Sequence, residues 1–338
     1  MSAAHTLEAI EFHLLNDFQR DFPLCPAPFA ELAARLGVAE EAIINGLESL
    51  RKSGKISRVG AVFAPKRIGV STLAAMAVPP EKLGEVAEMV NRFPEVNHNY
   101  EREHHYNLWF VATAGSQARL QAAIASIEKH AGYPVLQLPM LREFHIDLAF
   151  DLSKKSGERS EEQGAPAAEA AGSFALDIKI PPLEELERRL IMALQEGLPL
   201  FMRPFAVLAE RVGCEEFEVL ARIRRWCEEG VIKRFGVVVR HRELGYSANA
   251  MLVQDIPDDE VELIARRLAR EPEITLCYLR PRVLPQWRYN LFCMIHGKER
   301  EEVLAGIAAL RERLELSGFA HDILFSLACF KQNGARYA

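Results

Sequence analysis

The chain has 338 residues, 49% apolar and 26% charged, with a net charge of −6. That is the composition of a globular protein large enough for more than one core, and its negative balance opposes nonspecific attraction to nucleic acid or an anionic membrane. No apolar run approaches the roughly 20 residues of a spanning helix. The first residues, Met1-Ser2-Ala3-Ala4-His5, lack a signal peptide's basic start, and the six cysteines form no Cys-x-x-Cys pair, so a cytoplasmic protein without its own metal site is expected.

Leu7, Ile10 and Leu14 open the chain at helical spacing. Pro28-Phe29 starts a second helix that ends at Gly37, and a third, about 40–52, stops at Gly54. Helix, Pro-led helix, turn, helix and short strand form the pattern of a winged helix-turn-helix. The period then changes to two over Val59–Phe63 and Ser71–Val78. An amphipathic helix at 81–92, strands near 96–101 and 106–114, a helix at 116–130 and a closing strand near 141–150 complete the order β-α-β-β-α-β, that of a ferredoxin-like sandwich.

After a small, charged stretch at 152–181, read as a flexible tether, the pattern begins again. Adding 176 carries Pro28-Phe29 onto Pro204-Phe205, Gly37 onto Gly213, Gly54 onto Gly230, Arg58 onto Arg234 and Gly60 onto Gly236. After a slip of two, Tyr100 falls on Tyr278, and after five more, Tyr106-Asn107-Leu108 falls on Tyr289-Asn290-Leu291. The fold class is therefore α+β, a tandem duplication of a winged helix-turn-helix followed by a ferredoxin-like βαββαβ sandwich. The expected boundaries are 1–56 and 57–151 for the first repeat, and 182–232 and 233–338 for the second, with the two copies forming a pseudo-dimer within one chain.

The third helices open with Glu40-Glu41 and Glu215-Glu216, and Glu218 follows. Acidic first turns suit the helix dipole but repel phosphate, so the helix-turn-helix units read as retained scaffold or dimerisation surface, and Arg222, Arg224 and Arg225 as a solvated face. No nucleic-acid partner is expected. A DNA-binding regulator stays open as an alternative.

The copies differ around the third sandwich strand. Copy one reads Tyr100-Glu101-Arg102-Glu103-His104-His105-Tyr106-Asn107-Leu108-Trp109-Phe110; copy two carries Arg280, Arg282, Trp287, Arg288 and Tyr289. A strand extending to residue 104 would put His104 and Tyr106 on the face of Leu108 and Phe110. Further cations follow the wing of each copy, Arg58 in one and Arg234, Arg240, His241 and Arg242 in the other, and Arg142 and His145 stand in the first closing strand.

A winged helix followed by a βαββαβ unit resembles the leucine-responsive regulator (Lrp/AsnC) architecture. The run Arg102–Phe110, the run Arg234–His241 with Leu244-Gly245-Tyr246, the run Tyr289–Gly297 and the terminal Phe330–Tyr337 resemble, more specifically, the sirohaem decarboxylase family with its two subunit types fused. The resemblance implies a modified Lrp/AsnC fold that removes the C12 and C18 acetate carboxyls of sirohaem to give 12,18-didecarboxysirohaem, toward haem d1 or haem. Sirohaem is a flat disc rimmed by carboxylates, so it calls for an apolar slot with cations around its edge. Arg58, Arg102, His105, Tyr106, Arg142, Arg234, Arg240, Arg280, Arg282, Trp287, Arg288 and Tyr289 are the candidate substrate contacts. His104, then His241, then His145 are the candidate proton donors, since a pKa near 6.5 leaves both protonation states accessible. The macrocycle is the electron sink, so no cofactor is required. A carrier or sensor that binds the tetrapyrrole without catalysis is the remaining alternative, and related decarboxylase subunits or a further homo-oligomer are the partners to expect.

Overall fold

The computed structural model describes residues 3–64, 67–146, 184–240 and 248–334; the tether read at 152–181 lies outside them. Each repeat opens with three helices: α1 (Ala3–Asn16), α2 (Pro28–Leu36) and α3 (Glu40–Lys52) in the first, α6 (Glu185–Glu196), α7 (Pro204–Val212) and α8 (Glu216–Glu228) in the second. A proline starts α2 and α7, where its missing N–H costs nothing, and Gly37 and Gly213 end them at φ of +64° and +75°. The acidic start of α8 is a capping box: Glu215 accepts from the third-residue backbone, and Glu218 accepts from the backbone of Glu215.

Strands β1 (Ile56–Phe63) and β7 (Ile232–Val239) depart from expectation. They pair antiparallel with each other, Gly60 opposite Gly236, its own counterpart in the other copy, so the pseudo-twofold passes between them. Their apolar side chains, among them Ile56, Val59, Ile232 and Val237, share one core with both helical triplets. The expected boundaries at 57 and 233 gave these strands to the sandwiches; alternation alone cannot say which core an apolar face will cover.

The first sandwich is β2 (Val70–Met76), α4 (Leu83–Asn91), β3 (Val96–Arg102), β4 (Leu108–Ala114), α5 (Gln117–Ala131) and β5 (Leu136–Pro139). The second is β8 (Ala248–Gln254), α9 (Val261–Leu268), β9 (Ile274–Leu279), β10 (Leu291–Gly297), α10 (Arg300–Arg313) and β11 (His321–Gln332). Their strand orders, β5-β2-β4-β3 and β11-β8-β10-β9, are those of ferredoxin-like units. Helices cover one face of each sheet, over cores that include Phe110 and Ile127 in the first copy and Leu252 and Ile307 in the second.

The closing strands differ from the single one expected at 141–150. The first sandwich closes on β5, which ends at Pro139, a residue with no N–H to continue a ladder. The chain then forms β6 (Arg142–Ile146), which pairs with β9 of the second copy; residues 147–150 lie outside the described ones. Copy two has no such break. The first half of β11 pairs with its own β8 and the second half with β3 of the first copy. Each copy thus covers the other's open edge, and nine strands run as one sheet, β5-β2-β4-β3-β11-β8-β10-β9-β6. On the face away from the helices, Ala75, Trp109, Met251 and Phe292 meet Trp287 in a further core drawn from both copies.

At the centre of the β1–β7 ribbon, a Cβ on Gly236 would stand 2.5 Å from the carbonyl oxygens of Phe18 and Gln19. Those atoms are backbone and cannot rotate away. Gly236→Ala should therefore destabilise the fold by about 1–3 kcal/mol, read as a lowered urea midpoint at unchanged slope; an unchanged midpoint would refute the close approach.

Candidate active site at the seam between the repeats

Strand β3 ends at Arg102 and β4 begins at Leu108, and residues 103–107 form a bend. The bend is held by Asn107, whose side chain accepts from the Val78 N–H at 3.0 Å and donates to the Val78 carbonyl at 2.8 Å. Asn290 does the same to Ile256, at 3.0 and 2.9 Å. The repeated Tyr-Asn-Leu is therefore a structural device that ties this bend to the loop after each sandwich's first strand. Because β3 stops before residue 104, the expected parity fails. His104 and Tyr106 lie with Trp109 and Trp287, not on the face of Leu108 and Phe110.

His104, from copy one, stands edge-on to Trp287 of copy two, with ring centroids 5.5 Å apart; Tyr106 and Tyr289 flank the same indole at 6.1 and 5.1 Å. Trp109 meets Trp287 at 5.3 Å and donates its Nε1–H to the Tyr106 carbonyl at 2.6 Å. The Nε1–H of Trp287 is buried without an acceptor among the described residues. The Tyr106 N–H donates to His104 Nδ1 at 2.9 Å, so a neutral His104 carries its proton on Nε2, which lies 3.6 Å from the carboxylate of Asp322 in copy two. Burial is the chief influence on this imidazole and holds it below the ordinary histidine value, against the opposing pull of Asp322. Burial raises the Tyr289 phenol, which stays protonated and able to donate. His105 is exposed, its ring 5.3 Å from Tyr106.

The arginines near this seam are already engaged. Arg102 Nη1 donates across the copies to the Leu324 carbonyl at 2.9 Å, and Arg280, its counterpart, donates to the Leu138 carbonyl at 2.6 Å. They act as reciprocal pins; burial pushes Arg280 down to about 10, and its guanidinium lies over the Tyr278 and Phe292 rings. Arg282 is held by Asp255, by Asp258 and by the Ile256 carbonyl. Arg288 pairs with Asp255 at 2.9 Å and is 59% exposed. Arg142 pairs with Glu262 on α9 at 2.8 Å.

The remaining candidates do not converge on His104. Arg58 and Arg234 lie in the β1–β7 ribbon, donating to the Ala61 carbonyl and to those of Gln19 and Val237. Arg240 follows β7, its N–H bonded to the Lys55 carbonyl. Gly334 packs beside Arg58, whereas Asp322 stands at the opposite end of β11, so the ribbon and the seam are at different ends of that strand. His145 is in β6 beside β9, its register partner Cys277. His241, with Arg242, Leu244, Gly245 and Tyr246, lies outside the described residues. Asp322 is the functional candidate that sequence reasoning missed.

The description AsnC-like ligand binding domain matches residues 67–145 and 243–331, and siroheme decarboxylase NirDL-like HTH domain matches 11–56 and 187–233. Over 335 residues, covering 98% of this chain and 98% of the other, the sequence is 42% identical to the siroheme decarboxylase NirDL subunit of Paracoccus denitrificans (strain Pd 1222). The chain belongs to the sirohaem decarboxylase family. The siroheme decarboxylase NirL subunit of Stutzerimonas stutzeri is 52% identical over 157 residues, 46% of this chain and 92% of that one, so in this family a half of this size also stands as a separate subunit. A crystal structure of the siroheme decarboxylase NirDL in co-complex with an iron-uroporphyrin III analogue superimposes with a TM-score of 0.68 at 28% identity, covering 98% of this chain and 94% of that one. No described helix is long and apolar enough to cross a membrane.

The seam makes this family member's stability depend on pH through His104. Its imidazole titrates lower in the fold than in the unfolded chain, so between those two values the unfolded state binds more protons. The stability from burying it neutral is fully present above about pH 6.5 and is lost as pH falls toward the folded value. His104→Gln removes that loss. In urea titrations from about pH 7 to about pH 5, the variant should gain on the wild type as pH falls; parallel curves would contradict the assignment.

Proposed function

We propose that the chain is a carboxy-lyase of the cytoplasm that removes the C12 and C18 acetate carboxyl groups of sirohaem as CO₂, giving 12,18-didecarboxysirohaem. The observation that carries this reading is kinship along both repeats to siroheme decarboxylase, 42% over 98% of each chain. The seam supplies a chemistry that suits it.

In each step the bond between the acetate methylene and its carboxylate carbon breaks and CO₂ leaves. The electron pair stays on the methylene, delocalised into the pyrrole, and one proton returns to that carbon to make a methyl group. No electrons enter or leave, so neither oxidant nor reductant is needed, and the substrate's macrocycle serves as sink in place of an added cofactor. The protein's task is orientation, a dry site and a proton.

His104 Nε2 is assigned as the proton source, supported by its half-buried position against Trp287 and by the carboxylate of Asp322 at 3.6 Å. The Tyr289 phenol is a donor able to meet a substrate oxygen at the same place. Arg288 is the cation best suited to grip a carboxylate that stays. An exposed ion pair such as Arg288 with Asp255 contributes only about 0–1 kcal/mol, so exchanging Asp255 for a substrate carboxylate costs little. Copy two has Arg282 where the alignment of Tyr100 with Tyr278 would place a second His104, and the two halves are therefore assigned unequal parts.

Anaerobic incubation of the chain with sirohaem, followed by mass spectrometry of the extracted tetrapyrrole, should show loss of two CO₂. His104→Ala should lower kcat/KM for at least one loss by about 10²–10⁴ while leaving bound sirohaem detectable. Wild-type chain that retains unaltered sirohaem would favour the carrier and overturn the reading.

A further inference from the structure

Where β3 of copy one gives way to its bend, three successive residues meet β11 of copy two. Arg102 reaches the Leu324 carbonyl, the Glu103 N–H donates to the Phe325 carbonyl at 2.9 Å, and His104 comes within 3.6 Å of Asp322. The Glu103 carboxylate is held as well, accepting from Arg300 Nη2 at 2.5 Å. Arg300 is the first residue of α10, and its guanidinium lies over the Phe325 ring, 4.1 Å from the centroid. Phe325 therefore fixes Glu103 twice: its carbonyl takes the backbone N–H, and its ring bears the cation that takes the side chain.

Neither helix formation nor stability accounts for this pair. The first turn of a helix favours anions, which α10 has in Glu301 and Glu302, so a cation at its first position opposes the dipole. Arg300 and Glu103 are 44% and 53% exposed, and an ion pair so exposed adds little to stability. What the pair controls is direction. The His104 N–H turns back to the Arg102 carbonyl at 3.0 Å, so the chain reverses about residue 103, and the torsions of Glu103 set where the imidazole points. Asn107 anchors the far end of the bend to copy one, and Glu103 anchors the near end to copy two.

The other side of the pseudo-twofold lacks the device. Matching the sandwiches strand by strand puts Pro281 in the place of Glu103, Pro139 in that of Phe325, Gln117 in that of Arg300 and Leu136 in that of Asp322. Pro281 has no N–H, Pro139 no aromatic face and Gln117 no charge. The pins Arg102 and Arg280 are kept on both sides, yet the clamp stands only beside His104, as suits a part that serves this residue and not the shared frame. We infer that Glu103 and Arg300 are positioning residues, which aim His104 at Asp322 and at the reacting acetate from across the two copies. The inference rests on the proton source proposed above. Arg300 acts on the reaction through Glu103 and the bend, without touching the substrate itself.

The test pairs sirohaem turnover by the full chain with an NMR titration of its isotope-labelled histidines, the His104 signal being the one lost in His104→Gln. Arg300→Ala should lower kcat about tenfold while KM changes less than about twofold. It should also move the His104 midpoint further down, because Asp322 is the neighbour that raises it, against burial and His105, which lower it. Arg300→Lys keeps the charge and should recover most of the rate, and Glu103→Arg combined with Arg300→Glu should outperform either reversal alone. An unchanged kcat with an unmoved midpoint in folded Arg300→Ala, or a loss confined to its urea midpoint, would overturn the inference; Glu103→Gln carries the same test if Arg300→Ala does not fold by circular dichroism. A wild type that leaves sirohaem intact, with the His104 midpoint still moved by Arg300→Ala, would refute the decarboxylase reading and support the clamp. An active wild type whose rate and midpoint ignore Arg300→Ala would refute the clamp alone.

Discussion

The exchange of closing strands between the repeats is the constraint on which the site depends. A ferredoxin-like sheet leaves its second strand open at the edge, and an open edge invites uncontrolled pairing. Here β11 covers β3 and β6 covers β9. That pairing joins the two sheets into one, and Trp109 and Trp287 fill the space on the face away from the helices. Arg102 and Arg280 then bond across the copies to backbone carbonyls. Buried carbonyls need a donor, so the pins reinforce the same register that the strands impose.

A site built on such a seam belongs to neither copy. His104 comes from the first, and Trp287, Tyr289 and Asp322 come from the second. Because one chain carries both copies, each can vary without imposing the same change on its mate, as a symmetric homodimer would require. Copy two places Asp255 after β8, where it engages Arg282 and Arg288, while copy one has Ala77 at the equivalent position. The bend of copy one instead carries histidines. Divergence at the loops occurs over a shared frame, since Asn107 and Asn290 pin both bends in the same way.

The helices and the βαββαβ order were legible because they are local: periodicity, a proline at one end and a glycine at the other mark α2 and α7. The strand exchange was not, since alternation names a strand's faces but not its neighbours. The side of His104 was misread because parity holds only along an unbroken strand, and β3 stops at Arg102. Arginine positions were readable as charge but not as partnership; Arg282 gains its meaning from Asp255 and Asp258, which follow a different strand. Asp322 gave no signal of its own, and only the pairing of β11 with β3 brings it near a residue of the other repeat.

As the proton donor proposed above, His104 would have to reconcile two needs that conflict in the free protein. A strong proton donor is charged when the carbanion forms, yet burial against Trp287 favours the neutral ring, and the Tyr106 N–H already occupies Nδ1, so charging the ring means giving up that bond. A substrate rimmed with carboxylates changes that balance, because each anion brought close to the ring favours the imidazolium. Asp322 alone does not outweigh burial; on the proposed function, substrate carboxylates brought beside it would add to its pull toward the imidazolium. On the function proposed above, the acid would be charged by the arrival of the molecule it serves, which would tie the availability of the proton to an occupied site.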